Sequence, residues 1–257
     1  MAYLKNKDWF LEVEQGNVPG WSHVRKFGKI FGLTTTLTPI TLVGVYQMPT
    51  TAQSLEVISS SANDTSAGTG ARTIVIEGLD ANFAIQTTTV TMNGVAAVAV
   101  SGTWTRIFRM YALTSGTYAT ATASSHDGTI TLRNSGGGVS WAQLALDSGF
   151  GLGQTLIGCY TIPSGYTAYV YPDYISVESQ KAVSSYFFKR ENADDVTVPY
   201  DAMRSQLSVE FVGGMNFLDS DMPIGVFPAK TDIGWLAKTS ASTANVSVSF
   251  DIYLKAT

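Results

Sequence analysis

The sequence predicts an all-β protein: antiparallel β-sandwich domains of jelly-roll type, two in tandem, behind an extended N-terminal arm. Three observations carry this. Apolar and polar residues alternate over short runs rich in Val, Ile, Thr, Tyr and Phe, the period of a half-buried strand. Turn dipeptides, Asn93-Gly94 and Asp127-Gly128 among them, separate the runs. Helical patterning is confined to "NKDWFLEVEQ", which Gly16 and Pro19 close after a turn or two.

The chain of 257 residues is long enough for one large β domain or two ordinary ones. The expected organisation is an arm over 1–50, a first sandwich over 51–148 and a second over 149–257. Within the arm, "GNVPGWSHVRKFGKIFG" (Gly16–Gly32) mixes Trp21, Phe27 and Phe31 with Arg25, Lys26 and Lys29. It has no clean period and reads as an extended segment that packs on something else. These six residues are the candidate interaction set. The stretch either anchors to a neighbouring subunit or wraps back onto its own domain; a nucleic-acid contact is the third option for such a basic–aromatic mix.

From Ser54 the strands follow in order: 54–60, 72–80, 87–94, 104–114, 128–134 and 140–147. The runs 54–60 and 72–80 are expected to pair across a mobile polar connection. "DSGFGLGQT" (Asp147–Thr155) is expected to be a flexible joint. Beyond it, "YTIPSGYTAYV" turns about Pro-Ser-Gly, and Val246, Val248, Phe250, Ile252 and Leu254 alternate without a break. Such a strand has one buried and one polar face.

Composition narrows the function. Charged residues are 14% of the chain, against about 25% in ordinary soluble domains. A surface of hydroxyls suits a protein packed into an assembly. The net charge of −4 argues against a dedicated nucleic-acid binder. No apolar run approaches the ~18 residues of a membrane span, and "MAYLKNKDWF" has no apolar stretch of a secretory leader. Asn63 and Asn245 open glycosylation tripeptides by chance on that reading. The one cysteine, Cys159, excludes an internal disulfide and reads as a buried thiol; a nucleophilic role would need His23 or His126.

"SSSANDTSAGTGARTIVIEGLDANF" (Ser59–Phe83) has the small residues, glycines and arginine of a phosphate loop. Such a loop must open a helix. Gly68 and Gly70 are followed by a strand instead, so they serve a turn, and Arg72 is a surface or interface residue. "GGG" at 136–138 and "GFGLG" at 149–153 fail for the same reason. Asp194, Asp195, Asp219, Asp221 and Glu210 are the acids a glycosidase or a calcium site would draw on. None has a recognised pattern around it, and no catalytic residue, metal or cofactor is expected. Tyr166, Tyr169, Tyr171 and Tyr174 crowd one hairpin, as core and interface filling or as a carbohydrate platform.

Four segments, "GNVPGWSHVRKFG", "LEVISSSANDTSAGTGARTIVIEGLDANF", "TTTVTMNG" and "YTIPSGYTAYV", resemble in sequence and order segments of virion-associated proteins of tailed bacteriophages, marine and cyanobacterial ones included. "IFGLTTTLTPITLVGVYQMPT", after Lys29, is less polar than its counterpart there. The resemblance implies a non-enzymatic virion protein, assembled in the bacterial host cytoplasm. It would be a capsid cement or decoration protein, or a head fibre, bound through its arm to the major capsid protein or other subunits and forming a homo-oligomer, a trimer by preference. A tail component (head–tail adaptor or fibre base) is the alternative, and a surface carbohydrate-binding or polysaccharide-degrading protein the third reading.

Overall fold

The computed structural model describes residues 8–118, 120, 122–218 and 222–257. Its secondary structure is almost wholly β, every strand pairing is antiparallel, and the class is the sandwich type expected. A six-residue helix α1 (Trp9–Glu14) is the first element among the described residues, with the Asp8 carboxylate accepting from the Phe10 amide at 2.9 Å as its N-cap. Strands β1 (Trp21–Leu33) and β2 (Thr38–Pro39) follow. Next come β3 (Leu55–Ser59), β4 (Ala71–Leu79), β5 (Ile85–Thr91), β6 (Val98–Ala99), β7 (Arg106–Ser115), β8 (Ile130–Asn134) and β9 (Ser140–Leu144). A two-residue pair, β10 (Leu146–Asp147) and β11 (Phe150–Gly151), closes that set. The chain ends with β12 (Cys159–Thr161), β13 (Tyr166–Arg190), β14 (Arg204–Phe217), β15 (Gly225–Phe227), β16 (Asp232–Thr239) and β17 (Ala244–Ala256).

Strand β13 organises the largest sheet. Along one side it pairs first with β17 and then with β16; along the other, first with β15 and then with β14. Irregularities at Pro172/Tyr174 and Val177/Ala182 mark where it bends. Pro172 cannot donate to a ladder, so a break beside it is the expected position. Beyond β17 lies β1, in register from Trp21 opposite Lys255 to Ile30 opposite Val246, after which the register shifts before Leu33 meets Ala244. The segment read as an arm is therefore a full strand over Trp21–Leu33, folded back on its own chain. The sheet curls until it nearly closes into a barrel. A Cβ at Gly28 would collide with the Gly158 amide, so backbone meets backbone there and only glycine fits.

The other strands form a four-stranded sheet, β6-β3-β8-β9, and a three-stranded one, β5-β4-β7. This corrects one expected pairing. Strands β3 and β4 lie in different sheets, and the connection between them crosses over rather than turning a hairpin.

Two large apolar clusters result. Ile30, Val170, Phe187, Trp235, Phe250 and Ile252 anchor the first, and Leu79, Phe83 and Phe108 enter it from the middle of the chain. Leu55, Ile74, Trp104, Met110, Leu132 and Trp141 anchor the second, and Ile157, Cys159 and Phe188 join it from the last third. Phe187 and Phe188 are adjacent, point to opposite faces and are both buried. Strand β16 behaves likewise, with Trp235 in the first cluster and Leu236 against the second. A strand covered on both faces reads as a continuous apolar run, which "IGWLA" is. The expected joint at 147–155 is tied in as well, with the Thr155 amide donating to the Met110 carbonyl at 2.8 Å.

A buried ion pair bolts the two clusters together. Arg106 on β7 and Asp232 on β16 have no exposed side-chain surface, and they meet through two bonds, Nε to Oδ1 at 2.8 Å and Nη2 to Oδ2 at 2.9 Å. Arg190 adds a second guanidinium at 2.7 Å, and Thr161 donates at 2.6 Å. Tyr46 reaches the group through Thr161 at 2.9 Å. Burial alone would push the Asp232 carboxyl up, but Arg106 in bidentate contact, Thr161 and Arg190 hold it below the usual carboxylate range.

The folded value is depressed, so the stabilisation is fully present above the unfolded pKa of about 4 and is lost as pH falls through the folded value. Asp232→Ala leaves Arg106 buried without a counter-charge and is expected to cost about 4 kcal/mol. Urea titrations of wild type and variant from neutral to acid pH check both statements: the variant is less stable at neutral pH, and its stability falls less steeply in acid.

Candidate interaction surface and buried polar centres

The six residues expected to form an interaction set are dispersed by the strand that carries them. Trp21 packs edge-on against Trp9 of α1 and tilts over Tyr169 on β13, with ring centroids 4.9 and 5.1 Å apart. Arg25 is exposed and pairs with Asp173. Phe27 is half-buried. Lys29 pairs with Asp147 at 3.3 Å and lies 4.5 Å from the centroid of Phe31, which is exposed. Lys26 is buried, its Nζ donating to the Phe108 carbonyl at 2.6 Å. Only Arg25 and Phe31 thus present side chains freely to solvent.

Exposed apolar side chains occur in several places, and two of them lie along the edge strand β14. Leu207, Val209 and Phe211 face inward and pack on the first cluster. Glu210, opposite Ser184, faces outward with Val212 and makes no hydrogen bond or ion pair among the described residues. Val212 is 67% exposed and Met215 55%. Within the described residues β14 pairs with β13 alone, so fourteen residues of backbone keep one side unpaired. Sequence alternation marks the strand but not its place at an edge, because edge position is fixed by partners distant in the chain.

Three of the four tyrosines divide between two environments, and Tyr174 belongs to neither. Tyr166 packs on the first cluster. Tyr169 and Tyr171 pack with Trp9, Trp21 and Tyr253 beneath α1. These rings are occupied with one another instead of forming one open platform. His23 lies against Tyr253 with centroids 4.8 Å apart, between Glu14 and Asp251.

The glycine-rich stretches hold the protein's own carboxylates. Asp64 is fully buried and accepts four hydrogen bonds: from Ser59 Oγ at 2.5 Å, and from the amides of Ala71, Asp127 and Gly128 at 2.8, 2.9 and 2.9 Å. A side chain at Gly70 would strike Asp64 Oδ1. The connection 59–71 is therefore clamped, where a mobile loop was expected, and Arg72 closes it by donating to the Gly68 carbonyl at 3.0 Å. At 136–138 the amides of Gly136 and Gly137 donate to Glu56, which also takes Arg133. The Gly136 amide is the leading cause that lowers the Glu56 carboxyl.

The remaining candidates are structural where they are described. Asp194 pairs with Lys230 at 2.6 Å, and Asp195 accepts from the Thr197 amide at 2.9 Å. Asp219 and Asp221 lie outside the described residues. Cys159 is buried, and burial pushes its thiol up to about 12. His126 is buried with Nδ1 2.7 Å from the Gly128 carbonyl. No group of three His, Cys, Asp or Glu side chains among the described residues is placed to share a metal, and no described helix is long and apolar enough to cross a membrane.

No protein-family model matches the chain, and no curated protein matches it. Among solved structures, the chain is similar to the crystal structure of the T13 IBDV viral particle (10% identity, 91% of this chain and 69% of that one, TM-score 0.26). It is also similar to infectious bursal disease virus of the Gt strain (8%, 91% and 71%, 0.24) and of the Gx strain (10%, 92% and 72%, 0.20). Scores at this level leave fold and function to be argued from the chain itself.

Two predictions follow from the buried groups. Asp64→Ala leaves several buried donors unpaired and is expected to cost about 3 kcal/mol, read as a lower urea midpoint with an unchanged slope. Burial lowers the Lys26 ammonium to about 7, below its unfolded value of about 10.4. The unfolded chain then binds more protons between these values, so stability rises with pH across that window. Lys26→Met is expected to raise stability at neutral pH and flatten the rise, as thermal melts from neutral to alkaline pH would reveal.

Proposed function

We propose that this chain is a non-enzymatic structural subunit of a virion, of tailed-phage type, acting as a capsid cement or decoration protein or a head fibre. The observation that carries the reading is the open edge of β14. A strand of this length, unpaired along one side among the described residues and carrying outward Val212 and Met215, is a template for another chain, and a protein that remained alone would be expected to blunt it. The low charge content and the segments shared with virion-associated proteins support the same reading.

On this reading the subunit contact runs along β14, and copies associate as a closed homo-oligomer, a trimer by preference. The segment 1–32 has a different role from a detachable anchor. Removing it would strip β1 from β17 and expose Val248 and Phe250, so the truncated chain should not fold. Arg25 and Phe31 are the arm residues left to touch the shell.

Light scattering on the eluted full chain is expected to give an oligomer. Val212→Lys with Met215→Lys should give a monomer with an unchanged circular dichroism spectrum, since both side chains point away from the core. A wild-type monomer at high concentration would sink the proposal. Counting copies in purified particles separates the positions: hundreds indicate the capsid, and six, twelve or eighteen the tail, as an adaptor or fibre base.

A further inference from the structure

Lys26 is the side chain that the assembly reading leaves without a purpose. Its ammonium has one hydrogen bond, to the Phe108 carbonyl, and no carboxylate in contact among the described residues. A buried lysine with a structural role is normally paired, because an unpaired buried charge is costly. Here the amine borders a pocket of about 190 Å³ lined by Val24, Lys26, Glu77, Thr87, Arg109 and Tyr160, among others. Three features of that pocket are chemical. The Tyr160 ring, stacked on Phe108 at 4.1 Å, lies 5.9 Å from Nζ. Arg109 brings a cation whose hydrogen bond goes to a neutral amide, Gln154. Glu77 stands opposite Arg109 in the β4–β7 register and makes no hydrogen bond or ion pair among the described residues.

We propose that this pocket binds a small 2-oxo acid and holds it as an imine on Lys26. Burial keeps a large share of the amine neutral near pH 7, which is what makes a lysine a nucleophile. The Nζ lone pair attacks the carbonyl carbon and forms a C–N bond. One amine proton passes, by way of water in the pocket and Glu77, to the carbonyl oxygen, giving a carbinolamine. The second amine proton follows the same route to the hydroxyl, which leaves as water while the C=N bond forms. No oxidant or reductant is consumed, and hydrolysis reverses the step. Arg109 supplies the charge for the acid's carboxylate. The volume, below the 300 Å³ or so of a drug-sized site, restricts the ligand to a few heavy atoms.

The test incubates the full chain with glyoxylate and, separately, with propanal near neutral pH. Borohydride then delivers hydride to the imine carbon, and intact and peptide mass spectrometry locate the adduct. With glyoxylate, the expected result is one adduct, on Lys26, formed roughly tenfold or more faster than on exposed lysines such as Lys238 and Lys255. Lys26→Met, which is expected to fold at least as well as wild type, should lose it. Arg109→Met should slow the glyoxylate reaction and leave the propanal reaction unchanged. Labelling spread over exposed lysines, equally in wild type and Lys26→Met, would overturn the proposal, and so would no labelling. Arg109→Met with the wild-type preference for glyoxylate would overturn the assignment to an acid.

Discussion

The Arg106–Asp232 pair is the constraint on which the rest of the structure depends. One partner comes from the three-stranded sheet and the other from β16 in the large sheet, and neither retains exposed surface. A buried pair of this kind adds little net stability over an apolar substitute, but it is strict about geometry. Either charge left alone in the interior would be far more costly than the pair. The two apolar clusters therefore cannot slide or separate without exposing an unpaired ion. Thr161 and Arg190 extend the demand to β12 and β13, so four strands from distant parts of the chain meet at one carboxylate.

That meeting point explains which features of the sequence are legible. Strand β17 can be read directly, because Val246, Val248, Phe250, Ile252 and Leu254 all face one core and the outward positions are mostly polar. Strand β16 can be read as apolar but not as shared, since a layer buried on both faces has no period. The segment around Trp21 misleads for a related reason: β1 finds its partner more than two hundred residues later, and nothing local signals it. Consecutive strands neighbour each other in roughly two-thirds of cases, and β3 and β4 are an exception. Asp64, which makes that crossover rigid, is invisible to pattern reading because three of its four donors are backbone amides.

The candidate site divides along the same line. Basic and aromatic residues near the N-terminus suggest a surface, but alternate positions of a strand face opposite ways. Lys26 is turned inward while Arg25 remains in water. Among the edges that the fold leaves open, β14 is the longest, and its sequence is unremarkable apart from two glycines and few charges. Edge status is a property of topology, and a lone sequence carries it only through the absence of the lysines and prolines that protect edges. Between Arg204 and Phe217 neither lysine nor proline occurs.

Lys26 and β14 are both places where the sequence departs from what stability alone would select. A methionine at 26 would fill the same space without the cost of burying an ammonium. A lysine at 212 would protect the open edge without disturbing the core. Departures of this kind concentrate where a chain does something besides fold. The two differ in what they could serve. An open edge acts through backbone amides and carbonyls and is indifferent to most side chains, so it suits a partner that offers a strand. An amine that burial makes easier to deprotonate, in one pocket with a carboxylate and a cation, suits a small molecule with an electrophilic carbon and a negative charge. The two features involve different strands, β14 in one case and β1, β4 and β7 in the other, so assembly and ligand binding can be altered one at a time.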